Sequence, residues 1–226
     1  MISFKGTQFP KEVILHAMFF YLRYGVSYRD LEEILAERGV VVDHATLNRW
    51  VVKYAGLIAV NAQSRKMPTG RSWRMDETYI KVRGKWHYLY RAVDKQGKTL
   101  DFMLSERRNA AAATLFFAKA LSFNGIPEKI VIDKSGANTA GIRGVNKILK
   151  RFGCQVPIAT IRSKYLNNII EQDHRFIKKR TRLMLGFKSF RSASATLDGI
   201  EVAQMIRKKQ FGSEASGFEQ FASLAG

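Results

Sequence analysis

Cysteine is almost absent from this chain of 226 residues, since Cys154 is the single one. One thiol excludes an intramolecular disulfide and any zinc site built from several cysteines. No stretch approaches the roughly 20 consecutive apolar residues of a membrane-spanning helix, and the first residues lack the pattern of a signal peptide. We therefore expect a soluble, cytoplasmic protein without a membrane partner.

Acidic residues are also scarce. The chain has 19 Asp and Glu against 38 Lys and Arg, which gives a formal net charge of +19. This excess indicates a polyanionic partner, with DNA or RNA as the first choice and an anionic membrane as the second. Hydrophobic residues make up 46% of the sequence, which is enough for a substantial core.

Several familiar catalytic motifs are missing. Residues 136–141 have the glycine spacing of a phosphate-binding loop, but Ile142 and Arg143 stand where a lysine and a hydroxyl residue would be needed. The sequence has no Gly-x-Ser-x-Gly nucleophile motif. Its four histidines form no metal-ligand pair at helical spacing. These absences argue against a P-loop nucleotide site, a serine hydrolase and a histidine-based zinc enzyme.

The first 55 residues predict a small all-α domain. Ser27 and Asp30 have the spacing of a capping box at the start of a second helix, and Asp43 is the predicted N-cap of a third. The third helix has an apolar stripe at helical spacing, formed by Leu47, Trp50, Val51 and Tyr54. Helix, glycine-containing turn and helix is the helix-turn-helix pattern.

The outward face of the third helix carries residues that can reach base edges and phosphates. They are His44, Thr46, Asn48, Arg49 and Lys53. An ordinary three-helix bundle with a solvated polar face has the same pattern. The excess of positive charge favours DNA binding over that alternative.

After a predicted linker at residues 56–72, the pattern changes to that of an α/β domain at residues 73–212. Turn signals at Arg83-Gly84 and Gln96-Gly97 separate three strands. The predicted strands are 73–82, 85–94, 98–105, 129–133 and 155–161, and the predicted helices are 109–123, 139–152, 166–180 and 192–210. This order predicts a mixed sheet with helices on both faces. Residues 213–226 are a C-terminal tail of open role.

Three acidic residues lie where a metal site for cutting nucleic acid would need them. Asp76 lies within the first strand, Asp133 ends a short buried strand, and Glu171 lies in a predicted helix. Each also has an ordinary interpretation: a partnered or exposed strand residue for Asp76, a cap formed with Ser135-Gly136 for Asp133, and a solvated helix residue for Glu171. Glu77 is expected on the other face of its strand, as a structural or exposed residue.

Helical geometry places His174, Arg175 and Lys178 on the same side as Glu171, and we expect that side to face outward. The opposite side holds the apolar residues that would pack on the sheet. These are Leu166, Ile169, Ile170, Phe176 and Ile177. The three tryptophans, Trp50, Trp73 and Trp86, are interpreted as core residues rather than as surfaces for stacking bases.

Long segments of the sequence resemble the bacterial transposases of the insertion-sequence-six family. The resemblance runs from about Phe4 to Gln210. Its segments are Trp73–Asp94, Ile132–Ser135, Lys164–His174 and Gly186–Ser189, with Tyr28–Glu33 and Ala36–Gly39 in the helical domain. Asp133-Lys-Ser-Gly136 departs from the Asp-Lys-Ala-Pro of some members, which affects a loop and not a ligand.

The resemblance implies a ribonuclease-H-like fold with an Asp-Asp-Glu triad, which by position is Asp76, Asp133 and Glu171. It implies two Mg²⁺ ions at these carboxylates, with Mn²⁺ as a substitute, and DNA-backbone contacts from Lys178 and Arg175. The implied substrate is double-stranded DNA, both element ends and target, bound by a homodimer or larger assembly at the nucleoid. The implied activity is DNA strand cleavage and transfer.

Two other functions stay open at this point. One is a regulator that keeps the helix-turn-helix and binds DNA without chemistry. The other is a ribonuclease-H-type nuclease that hydrolyses without joining strands. The presence of all three acids together with the helix-turn-helix argues against both.

Overall fold

The computed structural model describes residues 2–133, 136–163, 165–184 and 186–226, without the side chain of Tyr165. The proposed cap at Ser135 lies outside these residues. The helices are α1 (Lys11–Arg23), α2 (Tyr28–Ala36), α3 (His44–Arg65), α4 (Ala110–Asn124), α5 (Gly136–Arg151), α6 (Asn168–Leu183), α7 (Phe190–Arg207) and α8 (Gly217–Ser223). The strands are β1 (Ser72–Val82), β2 (Lys85–Asp94), β3 (Thr99–Ser105), β4 (Lys129–Ile132) and β5 (Ala159–Arg162). Within the described ranges, no helix combines the length and the apolar character that a membrane span requires.

The predicted helix caps are present. The Ser27 hydroxyl accepts from the Asp30 backbone N–H, and the Asp30 carboxylate accepts from the Ser27 N–H, which completes the capping box of α2. The Asp43 carboxylate accepts from the N–H groups of Ala45 and Thr46 at the start of α3. These local bonds satisfy backbone donors that a helix terminus leaves unpaired. They explain why the helices begin where the sequence indicates.

The predicted linker at 56–72 is wrong over most of its length, because α3 continues to Arg65. Ile58, Ala59 and Ala62 are buried and extend the apolar stripe of the helix by two further turns. The helix ends before Pro68 and Gly70, where the turn-forming residues are concentrated.

Residues 1–67 and 177–226 form one compact unit, and residues 68–176 form another. In the first unit, α7 packs against α3, and Gly199 of α7 lies so close to Leu22 of α1 that a β-carbon would collide with it. The C-terminal residues belong to this unit as well. Phe221 of α8 is fully buried against Phe19, so the predicted tail contains a packed helix.

The second unit contains a five-stranded sheet in the order β3-β2-β1-β4-β5. The strands β1, β2 and β3 are antiparallel neighbours, whereas β4 and β5 run parallel to β1. Arg83 and Gly84 both have positive φ, the conformation that a tight β1–β2 hairpin turn requires. The predicted α/β class with a mixed sheet is confirmed.

The core of this unit lies between the sheet and the pair of helices α4 and α5. Its large side chains include Trp73, Tyr90 and Phe116. Gly141 of α5 lets that helix approach α4 closely, since a β-carbon there would lie 2.6 Å from the β-carbon of Ala113. Close packing of both helices holds the sheet in place, and with it Asp76 and Glu77 on the central strand β1.

One tryptophan prediction is wrong. Trp50 and Trp73 are buried, with 7% and 1% of their surface exposed, but Trp86 is 60% exposed. Trp86 lies near the tip of the β1–β2 hairpin, where it pairs across the strands with the exposed Lys81.

Candidate active site

Asp76 lies in β1, and Asp133 directly follows the neighbouring parallel strand β4. Arg74 of β1 pairs with Val131 of β4, so continuing the register by two residues brings Asp76 beside Asp133. Each carboxylate offers an oxygen, and together with one from Glu77 these atoms all lie within 4.8 Å of one another. The sheet thus joins two of the three predicted site residues, although 56 residues of sequence lie between them.

Glu77 is the member of this group that sequence reasoning missed. Its side chain is only 3% exposed, and its two oxygens accept from Arg108 Nε at 3.2 Å and from Asn138 Nδ2 at 3.0 Å. Burial raises the pKa of Glu77, against the opposing effects of Asn138 and Arg108. Alternation along β1 separates Asp76 from Glu77, yet both carboxylates reach toward the strand that carries Asp133. Their adjacency in the sequence was the available signal.

Arg108 connects two of these acids. Its guanidinium donates to Glu77 and places Nη2 at 3.8 Å from Asp133 Oδ2. Arg108 directly precedes Asn109, whose side chain caps α4. The start of α4 therefore holds a positive charge against the acidic group.

Asp76 is held from the side of α6. His174 Nε2 lies 3.2 Å from Asp76 Oδ2, and His174 Nδ1 lies 3.2 Å from Arg91 Nη1. Arg91 also forms an ion pair with Asp173 at 2.7 Å, with 1% and 9% of the two side chains exposed. In β2, Arg91 is the direct cross-strand partner of Asp76.

This arrangement fixes the tautomer of His174. A guanidinium group can only donate hydrogen bonds, so His174 Nδ1 must accept from Arg91. The proton of the neutral imidazole is therefore on Nε2, where it donates to Asp76 Oδ2. The pair of Arg91 and Asp173 thereby orients the imidazole that orients Asp76.

Glu171 lies in the first turn of α6 and is exposed. Within the described ranges, it is not among the residues whose carboxylate oxygens lie within 4.8 Å of one another. It precedes His174 by three residues, which is about 4.5 Å along the helix axis. Glu171 is therefore close to one helical turn from the contact between His174 and Asp76.

The predicted faces of α6 need a correction. His174 is 5% exposed and lies on a buried stripe with Ile170 and Ile177 rather than on the outward side. The imidazole can be buried at little cost because both of its nitrogens have hydrogen-bond partners. Leu166 and Ile169, expected to pack on the sheet, are 47% and 37% exposed. Glu171, Arg175 and Lys178 are exposed and leave a mixed acidic and basic face open to solvent.

The predicted DNA-reading face of α3 is exposed at its start. The Glu32 carboxylate of α2 accepts from the His44 backbone N–H and lies 3.0 Å from His44 Nδ1. The Thr46 hydroxyl donates to Asp43 and accepts from Arg49. Asn48 is half-buried, and Lys53 is exposed with its ammonium group 4.9 Å from the centre of the Tyr54 ring.

The acidic group has the chemistry of a site for a hard divalent cation. Carboxylate oxygens are the ligands that Mg²⁺ prefers, at about 2.0–2.1 Å, so two ligands of one ion lie up to about 4.2 Å apart. Oxygens within 4.8 Å of one another are close to that limit. The residues present therefore fit such an ion.

Comparison with known proteins agrees with this geometry. Residues 70–210 match a family model described as a DDE domain, and this range contains Asp76, Asp133 and Glu171. The transposase for insertion sequence-like element IS431mec of Staphylococcus aureus strain Mu50 is 42% identical over 210 residues, which cover 92% of this chain and 90% of that protein. This chain belongs to the Asp-Asp-Glu transposases of the insertion-sequence-six family. The resemblance stated from the sequence is confirmed.

A second curated relative supports the same family membership. The transposase for insertion sequence element IS257 in transposon Tn4003 of S. aureus is also 42% identical over 92% of the chain. Among solved structures, the catalytic core domain of BIV integrase aligns with 68% of this chain and 95% of its own, at 17% identity and a TM-score of 0.45. A score at that level carries no further conclusion.

Proposed function

We propose that this transposase binds the inverted repeats at the ends of its element and catalyses metal-dependent DNA cleavage and strand transfer. The observation that carries the proposal is the meeting of Asp76, in β1, with Asp133, just after the adjacent strand β4, with oxygens within 4.8 Å. Carboxylates gathered this closely repel one another, and a divalent cation bound between Asp76 and Asp133 would offset that repulsion together with Arg108. A DNA substrate would account for the excess of positive charge, and metal ions bound to that substrate would account for the gathered carboxylates.

Asp76, Asp133 and Glu171 are the proposed ligands for two Mg²⁺ ions, with Mn²⁺ as the substitute. Two such ions would activate the attacking oxygen and stabilise the leaving 3′-oxygen of an in-line displacement. Glu171 is included because it lies one helical turn from His174, which contacts Asp76. Glu77 is assigned a supporting role, since Arg108 and Asn138 already bind both of its oxygens.

The remaining residues bind and orient. His174 holds the Asp76 carboxylate, and Arg91 with Asp173 holds His174. Arg175 and Lys178, exposed on α6, would bind phosphates near the cleaved bond. The start of α3, with His44, Thr46, Asn48, Arg49 and Lys53, would read the repeat sequence. Since two element ends must be joined, we propose a homodimer or larger assembly acting at the nucleoid.

Metal removal tests the proposal. With DNA that carries the element end and a target duplex, joined product is expected in Mg²⁺ and in Mn²⁺, and none in EDTA. Binding to the end DNA should persist in EDTA, because the helix-turn-helix needs no metal. Gel analysis of labelled DNA measures both.

Two results of that assay would contradict the proposal. Sequence-specific binding without cleavage in any divalent metal would indicate a regulator. Hydrolysis without joining, together with cleavage of RNA–DNA hybrids, would indicate a ribonuclease-H-type nuclease.

His174→Gln should weaken metal binding. Losing the imidazole that orients Asp76 is expected to raise the half-saturating Mn²⁺ concentration by about 10- to 100-fold, as for other residues that hold a ligand in place. Mn²⁺ binding to the DNA-free protein, followed by electron paramagnetic resonance of free Mn²⁺, measures this directly. His16→Gln, in the other compact unit, is the matched control. Equal Mn²⁺ affinity in the two variants would show that His174 does not position Asp76.

A further inference from the structure

The tip of the β1–β2 hairpin, residues 79–88, presents an exposed cluster of aromatic and basic side chains. Tyr79 is 50% exposed and Trp86 is 60% exposed. Their ring centres lie 6.1 Å apart, and Tyr79 also contacts Tyr88 at 5.5 Å. The ammonium group of Lys81 lies 5.8 Å from the centre of the Trp86 ring.

Strand register explains why these side chains form one surface. Tyr79 pairs with Tyr88 and Lys81 pairs with Trp86 across the two strands, so all four project from the same face. The opposite face is anchored, since Ile80 and Val82 are each 2% exposed. In the part of the chain that the structure describes, β4 pairs with residues 72–74 of β1, and β3 pairs with residues 88–93 of β2. The tip therefore extends beyond the other strands of the sheet.

The charge of the tip selects its partner. Lys81, Arg83 and Lys85 lie within it, and its sequence contains no acidic residue. Exposed aromatic rings beside cations are the combination that binds single-stranded nucleic acid, because every base has a face that can stack and every nucleotide has a phosphate. An apolar protein partner would not require the three positive charges.

The tip also has a defined place relative to the acidic group. Tyr79 follows Asp76 by three residues on the same strand, a separation of about 10 Å. Along one DNA strand, 10 Å is roughly three nucleotides of a duplex at 3.4 Å per nucleotide. Alternation places Glu77 and Tyr79 on one face of β1 and Asp76 on the other, so a strand whose phosphate is held at the acidic group would reach Tyr79 and Trp86 along the Glu77 face.

We propose that Tyr79 and Trp86 form a stacking surface for unpaired bases of the DNA strand next to the cleavage site. Lys81, Arg83 and Lys85 hold the backbone of the same strand. The choice of DNA, and of its position, depends on the proposed function. The surface itself binds single strands whether or not the carboxylates support catalysis.

Binding of a short oligothymidylate to the full chain in EDTA tests the proposal without catalysis. Anisotropy of a labelled oligonucleotide measures affinity. Trp86→Leu is expected to weaken binding by about 5- to 100-fold, the range for loss of one stacked base, and Trp86→Phe should retain most of it. Tyr79→Leu should act in the same direction. A fully paired duplex of equal length should show little change, because its bases are not available for stacking.

Phe152→Leu is the matched control, since Phe152 is an exposed aromatic residue of the same compact unit, at 85% exposure. Equal affinities of Trp86→Leu and Phe152→Leu for the oligonucleotide would overturn the proposal. So would a change of assembly state in Trp86→Leu by sedimentation with unaltered oligonucleotide affinity, which would assign the surface to a second copy of the chain. If the wild type showed no strand transfer, the oligonucleotide result would still stand. The two proposals can therefore be refuted independently of each other.

Discussion

Asp133→Asn transposase is expected to lose strand transfer by about three orders of magnitude or more. The substitution keeps the shape of the side chain but removes the negative charge that binds the cation. A metal ion contributes several kcal/mol to the stabilisation of a phosphoryl-transfer transition state, and each 1.4 kcal/mol is a factor of ten in rate. The rate of joined-product formation under single-turnover conditions, at saturating Mg²⁺, measures the loss.

Glu214→Gln is the control for this experiment, because Glu214 is exposed and far in sequence from the acidic group. Its rate should equal that of the wild type, and both variants should bind end DNA alike. Asp133→Asn with wild-type activity would remove Asp133 from the site.

The same assay separates two candidates for the third carboxylate. Glu171→Gln is expected to lower the rate of strand transfer as much as Asp133→Asn does, since we assign Glu171 as a metal ligand. Glu77→Gln should keep more activity, because an amide there can still accept from Arg108. The reverse order would make Glu77, which lies with Asp76 and Asp133, the third ligand.

Arg91→Met is expected to destabilise the folded state by about 3–5 kcal/mol. Arg91 and Asp173 are 1% and 9% exposed and their charged atoms lie 2.7 Å apart. The substitution removes the cation 2.7 Å from a carboxylate that stays buried, which is the costly way to break a buried pair. His174 would also lose the group that accounts for its tautomer. The free energy of unfolding in urea, with the midpoint and slope compared to wild type, measures the effect.

A second substitution tests whether the ion pair is the cause. Arg91→Met combined with Asp173→Asn removes both charges and should recover part of the lost stability. Arg71→Met is the matched control, because its pair with Glu128 is 3.7 Å apart with 71% and 65% of the side chains exposed. Such an exposed pair contributes about 0–1 kcal/mol. If Arg91→Met costs no more than Arg71→Met, the buried network does not stabilise the fold.

Local signals in the sequence predicted most of the elements. The Ser27 capping box, the Asp43 cap and the Arg83-Gly84 turn each depend on neighbouring residues alone, and each is present as expected. The strand positions of Asp76 and Asp133 follow from short apolar runs. Family motifs then related these distant segments to one another, which composition and periodicity could not do.

The tertiary structure decided which residues contact the faces of α6 and β1. Periodicity placed His174 beside Glu171, but only the sheet shows that Arg91 and Asp76 meet its imidazole and bury it. Alternation along β1 assigned Glu77 to the other face, whereas the strand that carries Asp133 brings its carboxylate into the group. Trp86 was predicted to be a core residue, but it is exposed in a hairpin tip that extends beyond the pairing with β3 and β4.

The sequence by itself determined the class of fold, the caps and turns, and the residues able to carry the chemistry, because these depend on local backbone preferences and on residue type. The tertiary structure alone decided which carboxylates meet, which histidine is held between two charges, and which aromatic rings stay exposed. Those outcomes depend on contacts between segments far apart in the chain, and composition and local periodicity do not give the distances between such segments.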